Sequence, residues 1–215
     1  MWLQTIQDVI LMKKIISGNF MKIAFVIYDG VTALDFIGVY DSLSRVKSMS
    51  FDKDLFIDIC GLEHTIKDST GKIAFNIEKV GYSLKNYDMV IIPGGLGIRR
   101  LMNDEHFISY IKTVNPEAQL VSVCSGSLLL GVAGFLKNKK VAANKKIFSC
   151  MTDYGCEVVD KRVMVDGNVI TAEGVTAGID LGLFLCGILY NKDIMYKIAT
   201  QMEYQLPENF ESELF

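Results

Sequence analysis

Residues 119–130 read QLVSVCSGSLLL. A short run of mostly apolar residues leads straight into Cys124, and Ser125-Gly126-Ser127 then opens a leucine-rich stretch. Such a run suits a strand buried on both faces, and the leucines after it suit a helix. Cys124 therefore falls on a strand-to-helix turn, which pushes a side chain out of the sheet as a nucleophile elbow does. Gly126 and Ser127 keep that turn small. The dipole and free N–H groups of a helix start favour an anion, so the sequence predicts a thiol more acidic than an ordinary cysteine. A buried structural thiol is the other reading, and the residues alone leave both open. Cys60, Cys150, Cys156 and Cys186 take the structural reading by default.

The same pattern repeats on either side. KIAFVIY (22–28), LFIDICG (55–61) and YDMVIIP (87–93) are further buried strands. A helix is predicted over 33–46 with Thr32 as its cap, and a small β excursion over 62–86. GGLG turns the chain after the third strand. A helical piece around 145–154 precedes RVMVDG and NVITA, joined at Asp166-Gly167-Asn168 as a hairpin. Helices over 174–190 and 192–203 follow. This alternation predicts a three-layer α/β fold with a mostly parallel sheet. No linker or composition break divides the chain, so 21–203 reads as a single domain. Residues 204–215 read as a polar tail. Residues 1–20 are an extension, read as either an added amphipathic helix or an upstream start.

Composition narrows the function. Half of the 215 residues are apolar, 22% are charged, and the net charge is −3. Nothing in that balance calls for nucleic acid or an anionic membrane. Five irregularly spaced cysteines without a CxxC pair, and only two histidines, fit neither a zinc site nor a disulfide framework. A reducing, cytoplasmic setting fits better. The apolar stretch 175–190 is short for a membrane span and contains Asp180, which reads as a buried, satisfied structural carboxyl.

Ligands of an open α/β sheet bind at the carboxyl ends of its strands. Three of those ends are unusual here. One is Cys124. The second is PGGLG (93–97), where Gly94 and Gly95 let backbone approach a ligand and offer N–H groups to a developing charge. The third is Asp35 in TALDFIG. Thr32-x-x-Asp35 matches a capping box, and the residues favour that role. The competing role is a carboxyl kept in apolar surroundings, its pKa raised so that it carries a proton at neutral pH. His64 and His106 follow no strand end.

Taken together, FVIYDGVTALDFIG, DMVIIPGGLGIRRL, VSVCSGSLLLGVAGFLKNKKVAANK and ITAEGVTAGIDLGLFL resemble the ThiJ/PfpI superfamily, with its class I glutamine amidotransferase-like fold. The resemblance spans about residues 21–195 and is nearest to the isonitrile hydratase-like members. It implies that Asp35 hydrogen-bonds the elbow thiol of Cys124, and that Gly94, Gly95 and Ser125 bind substrate or an oxyanion. It implies a cysteine-dependent hydratase or hydrolase of a small carbon–nitrogen substrate, with no metal or organic cofactor, and a homodimer. An oxidisable sensor and a glyoxalase-like enzyme are the rivals. The sequence departs from many relatives at VAANKKIF, where Asn144 stands in a segment that elsewhere carries a histidine.

Overall fold

The computed structural model describes residues 20–208 and Phe210. The extension predicted over residues 1–20 therefore lies, except for Phe20, outside the described residues. The strands are β1 (Lys22–Val26), β2 (Phe56–Gly61), β3 (Thr65–Lys67), β4 (Ala74–Asn76), β5 (Lys79–Val80), β6 (Met89–Ile92), β7 (Gln119–Val123), β8 (Lys140–Val141), β9 (Glu157–Val158), β10 (Val163–Asp166) and β11 (Val169–Ala172). The α-helices are α1 (Ala33–Ser48), α2 (Ile98–Leu101), α3 (Glu105–Ile111), α4 (Gly126–Val132), α5 (Phe148–Met151), α6 (Ala177–Leu189) and α7 (Lys192–Gln201).

Among the described residues, seven strands form the central sheet in the order β10-β11-β7-β6-β1-β2-β5. Every pairing is parallel except that of β10 with β11. β6, β7 and β11 are buried along their whole length, as strands with both faces covered must be. Burial on this pattern is why the apolar runs were readable as strands. Helices flank the sheet, and α1 packs along α6. That crossing is close because Gly38 and Gly182 carry no side chain: a Cβ on Gly38 would lie 3.2 Å from the Ile179 N, and one on Gly182 2.6 Å from the Ser42 Cβ.

From β1 the chain first builds to one side, through β2 and β5, and then crosses to β6 and β7 on the other. The order reverses between β1 and β6. Such a reversal is where open α/β sheets form their ligand crevice, at the carboxyl ends of the strands. The loops after β1, β6 and β7 meet there. The β3–β4 hairpin reaches over from the side: Ser69 N–H donates to the Val31 carbonyl at 2.7 Å, and Ser69 Oγ to the Gly30 carbonyl at 2.7 Å.

Three expectations outside the crevice resolve simply. Asp180 is fully buried and satisfied: Arg162 Nε and Tyr204 Oη donate to it, the latter at 2.9 Å. Tyr204 and the buried Phe210 thus pack part of the segment expected to be a polar tail. No helix among the described residues is long and apolar enough to cross a membrane.

Candidate active site

β7 ends at Val123, and the next residue turns the chain sharply. Cys124 has φ +58°, in the left-handed region that a side chain with a Cβ avoids. Such a conformation costs on the order of 1–3 kcal/mol and persists only where the surroundings enforce it. Here Cys124 N–H donates to the Ala172 carbonyl of β11 at 3.0 Å, and Ser127 Oγ donates to the Cys124 carbonyl at 3.2 Å. Gly126 completes the turn, because a Cβ there would strike the Ile92 carbonyl of β6. The elbow leaves Cys124 at 8% exposure.

Asp35 sits in the first turn of α1 with no exposed surface. The capping box does not form. Thr32 is the residue before the helix, but its side chain makes no capping bond, and its N–H donates to the Gly94 carbonyl at 2.8 Å. Phe36, the next residue, is buried edge-on against Phe25 of β1 and Phe75 of β4, with ring centroids 5.4 Å apart in each case. Burying a ring of that size contributes about 1.5–3 kcal/mol and fixes α1 on the sheet, with Asp35 turned to the crevice.

Burial pushes the Asp35 carboxyl up to about 6, against the pull of the nearby Cys124 thiol and Gly94 N–H. Neither neighbour makes a well-aligned hydrogen bond, so both carboxylate oxygens are buried without a full partner. Burial, and then the Asp35 charge, push the Cys124 thiol up to about 11; the Ser125 N–H and the Asn144 amide pull the other way. This corrects the expected acidification. The helix start does act on the sulfur, but desolvation and a carboxylate neighbour outweigh it. The two acids titrate as a pair and hold one proton between them from about pH 6 to about pH 11.

The loop after β6 closes the third side. Tyr28 Oη donates to the Pro93 carbonyl at 2.7 Å and holds the loop from below. Burial, with the charges of Asp35 and Cys124, keeps that phenol protonated far above its ordinary range. Gly94 lies between the acid and the elbow: a Cβ on it would fall 2.7 Å from Asp35 Oδ2, 2.7 Å from Ser125 Oγ and 2.8 Å from Ser125 N. Gly95 N–H, expected to meet a developing charge, donates instead to Ser125 Oγ at 3.1 Å. Cys124, Asp35, Gly94, Gly95 and Ser125 are thus brought together.

Asn144 joins them. Its Nδ2 donates to Cys124 Sγ at 3.4 Å, and its Oδ1 accepts Lys146 N–H at 3.0 Å. The sequence marked this position only as lacking a histidine; the amide's own role needed the fold to become visible. His64 and His106 are both exposed. Cys60, Cys156 and Cys186 are buried and free, whereas Cys150 is exposed, contrary to its default reading as a buried thiol.

A strained elbow thiol at the carboxyl edge of a parallel sheet, opposed by a buried carboxyl, defines an α/β protein with a thiol-centred crevice. The chain belongs to the DJ-1/PfpI family, whose model matches residues 21–186. It is 32% identical over 196 residues to the isonitrile hydratase of Pseudomonas putida, covering 89% of this chain and 82% of that one. Its fold is similar to that of a ThiJ/PfpI family protein from Pseudomonas syringae, with a TM-score of 0.78, 26% identity, and coverage of 90% of this chain and 78% of that one. The DJ-1 of Schizosaccharomyces pombe shares the fold at a TM-score of 0.72 and 20% identity, over 87% of this chain and all of that one.

Proposed function

We propose that this chain is a cysteine-dependent hydratase of small carbon–nitrogen substrates, converting an isonitrile to an N-substituted formamide. The observation that carries the proposal is the fully buried Asp35 carboxyl set beside the strained elbow thiol of Cys124, a neighbour whose charge raises the thiol's pKa. Similarity to an isonitrile hydratase over most of the chain supports the choice of substrate.

The chemistry needs only the pair's proton and a water. Cys124 sulfur bonds to the terminal carbon of R–N≡C, and Asp35 relays the pair's proton to the same carbon, giving R–N=CH–S–Cys124. The Asp35 carboxylate then takes a proton from water as the hydroxide bonds to that carbon, and passes the proton to nitrogen. The C–S bond breaks, the hydroxyl proton returns to Asp35, and R–NH–CHO leaves with the pair again holding one proton. One carboxyl serves as acid and then as base, which a pKa near neutrality permits. Ser125 N–H, beside the sulfur, steadies charge on it. The sequence of steps requires no cofactor.

The rivals fit less well. A sensor open to oxidants works best with a resting thiolate, and burial and the Asp35 charge keep the proton on this thiol. A glyoxalase-like site would be expected to use an imidazole, and Asn144 stands at that place. The same proposal places the enzyme in a reducing cytoplasm as a homodimer.

The test is formamide formation from an alkyl isonitrile, followed by NMR. Wild type turns over, Cys124→Ala falls to background, and Asp35→Asn loses about 10²–10⁴-fold. Undiminished turnover by Cys124→Ala would sink the mechanism.

A further inference from the structure

The segment carrying Asn144 is built to hold one side-chain amide against sulfur. Asn144 begins a tight 3-10 turn, Lys145–Ile147, with extended backbone at φ −62° and ψ 131°. Its Oδ1 is committed to the Lys146 N–H, so only the NH₂ end can face the thiol. The turn is fastened outside the crevice as well. Lys145 Nζ pairs with Asp160 at 2.9 Å and with Glu173, just beyond β11, at 3.4 Å. Behind it, Ala142 N–H donates to the buried Thr171 Oγ1 of β11 at 2.7 Å. The amide therefore reaches Sγ from a turn tied to the strand that also holds the elbow's N–H.

An amide in that place differs from an imidazole in one respect that matters. It donates a hydrogen bond to sulfur at any working pH, and it neither takes nor gives up a proton. The titratable groups facing the sulfur are then Asp35 from α1 and the firmly protonated Tyr28 from the end of β1. Lys145 and Glu173 face each other on the outer side of the turn.

We propose that Asn144 is a third catalytic residue, whose Nδ2–H stabilises the Cys124 thiolate as it forms during the reaction, while Asp35 alone moves the proton. The hydrogen bond strengthens as the thiolate forms, both before attack and again when the C–S bond breaks, because a donor to a charged acceptor is worth more than one to a neutral acceptor. The inference rests on the hydratase reading and deepens it by naming the group that steadies the thiolate. Addition to a neutral C–N multiple bond needs one relayed proton at a time.

The test reads the thiol directly, without substrate. The rate of Cys124 alkylation by iodoacetamide is measured against pH by mass spectrometry, in wild type, Asn144→Ala and Asn144→His, with thermal melting to confirm folding. Loss of a hydrogen bond to a charged group predicts Asn144→Ala alkylation about ten-fold slower at neutral pH, with the thiol's titration moved upward. Asn144→His restores a donor, so it recovers rate and adds one inflection in the histidine range. If Asn144→Ala misfolds, the Asn144→His profile decides alone. A profile in Asn144→Ala identical to wild type, or an Asn144→His profile without a new inflection, overturns the assignment. Isonitrile turnover is scored separately: an Asn144→Ala shift in a protein inert toward isonitriles would keep Asn144 on the sulfur and discard the substrate.

Discussion

At the scale of the residue, the site rests on an acid that the fold would be more stable without. Asp35 ionises at 3.8 as a free side chain and at about 6 in its buried place. Below pH 3.8 it is protonated in both folded and unfolded chains. As pH rises, the unfolded chain ionises first, so stability falls until about pH 6 and stays lower above it. At 1.36 kcal/mol per pKa unit, the loss is about 3 kcal/mol. Asp35→Asn should therefore be more stable than wild type at pH 7, by up to that amount, with the difference closing toward pH 4; urea unfolding at the two pH values measures it. Gly94 is a second point of tension. Gly94→Ala drives a methyl into Asp35 and Ser125, so overpacking should cost about 1–3 kcal/mol and separate the acid from the elbow. A crystal structure of the variant would show Asp35 displaced from Cys124, and isonitrile turnover should be lost with it.

At the scale of the element, the β3–β4 hairpin sets the position of the crevice loops. Asp68 accepts Lys72 N–H and Ile73 N–H, each at 3.0 Å, and Thr70 Oγ1. The backbone bond to Ile73 is the largest of the effects that lower its carboxyl to about 2. Asp68→Ala should release that turn, seen as faster hydrogen exchange at Lys72 and Ile73. Because Ser69 also bonds the loops at Gly30 and Leu96, the variant should also change the rate of Cys124 alkylation. The parallel strands and the elbow were legible in the sequence because burial on both faces leaves a one-dimensional trace. The capping box was a false trace: Thr32-x-x-Asp35 has the spacing, but the Thr32 N–H is drawn to Gly94, 62 residues away in the chain. The thiol's pKa was misread for a similar reason. The helix start is local and visible, while desolvation and the Asp35 charge arise only when α1 meets β7. The Asn144 amide left no sequence signal beyond the missing histidine, because its role depends on Lys146 N–H and on strand β11.

At the scale of the whole molecule, the sheet order explains why one crevice collects every candidate residue. The reversal between β1 and β6 puts the loops of Asp35 and Gly94 side by side, and β7 beside β6 adds Cys124. The first turns of α1 also present Leu34 and Ile37 to solvent, near Asp35. An apolar surface there suits a second copy of the chain. Light scattering should give the mass of two chains, and Leu34→Asp with Ile37→Asp should give one; a monomeric wild type would remove the homodimer from the proposal.

The account depends most on the proton shared by Cys124 and Asp35. Its most direct test is the pH dependence of Cys124 alkylation in wild type and in Asp35→Ala. The paired thiol predicts a wild-type rate that rises near pH 6, levels, and rises again toward pH 11. Asp35→Ala should lose the lower step and shift the upper one downward, because the neighbouring charge is gone. A single step near the free-cysteine value of about 8.5, unchanged by Asp35→Ala, would show two independent groups and contradict the account.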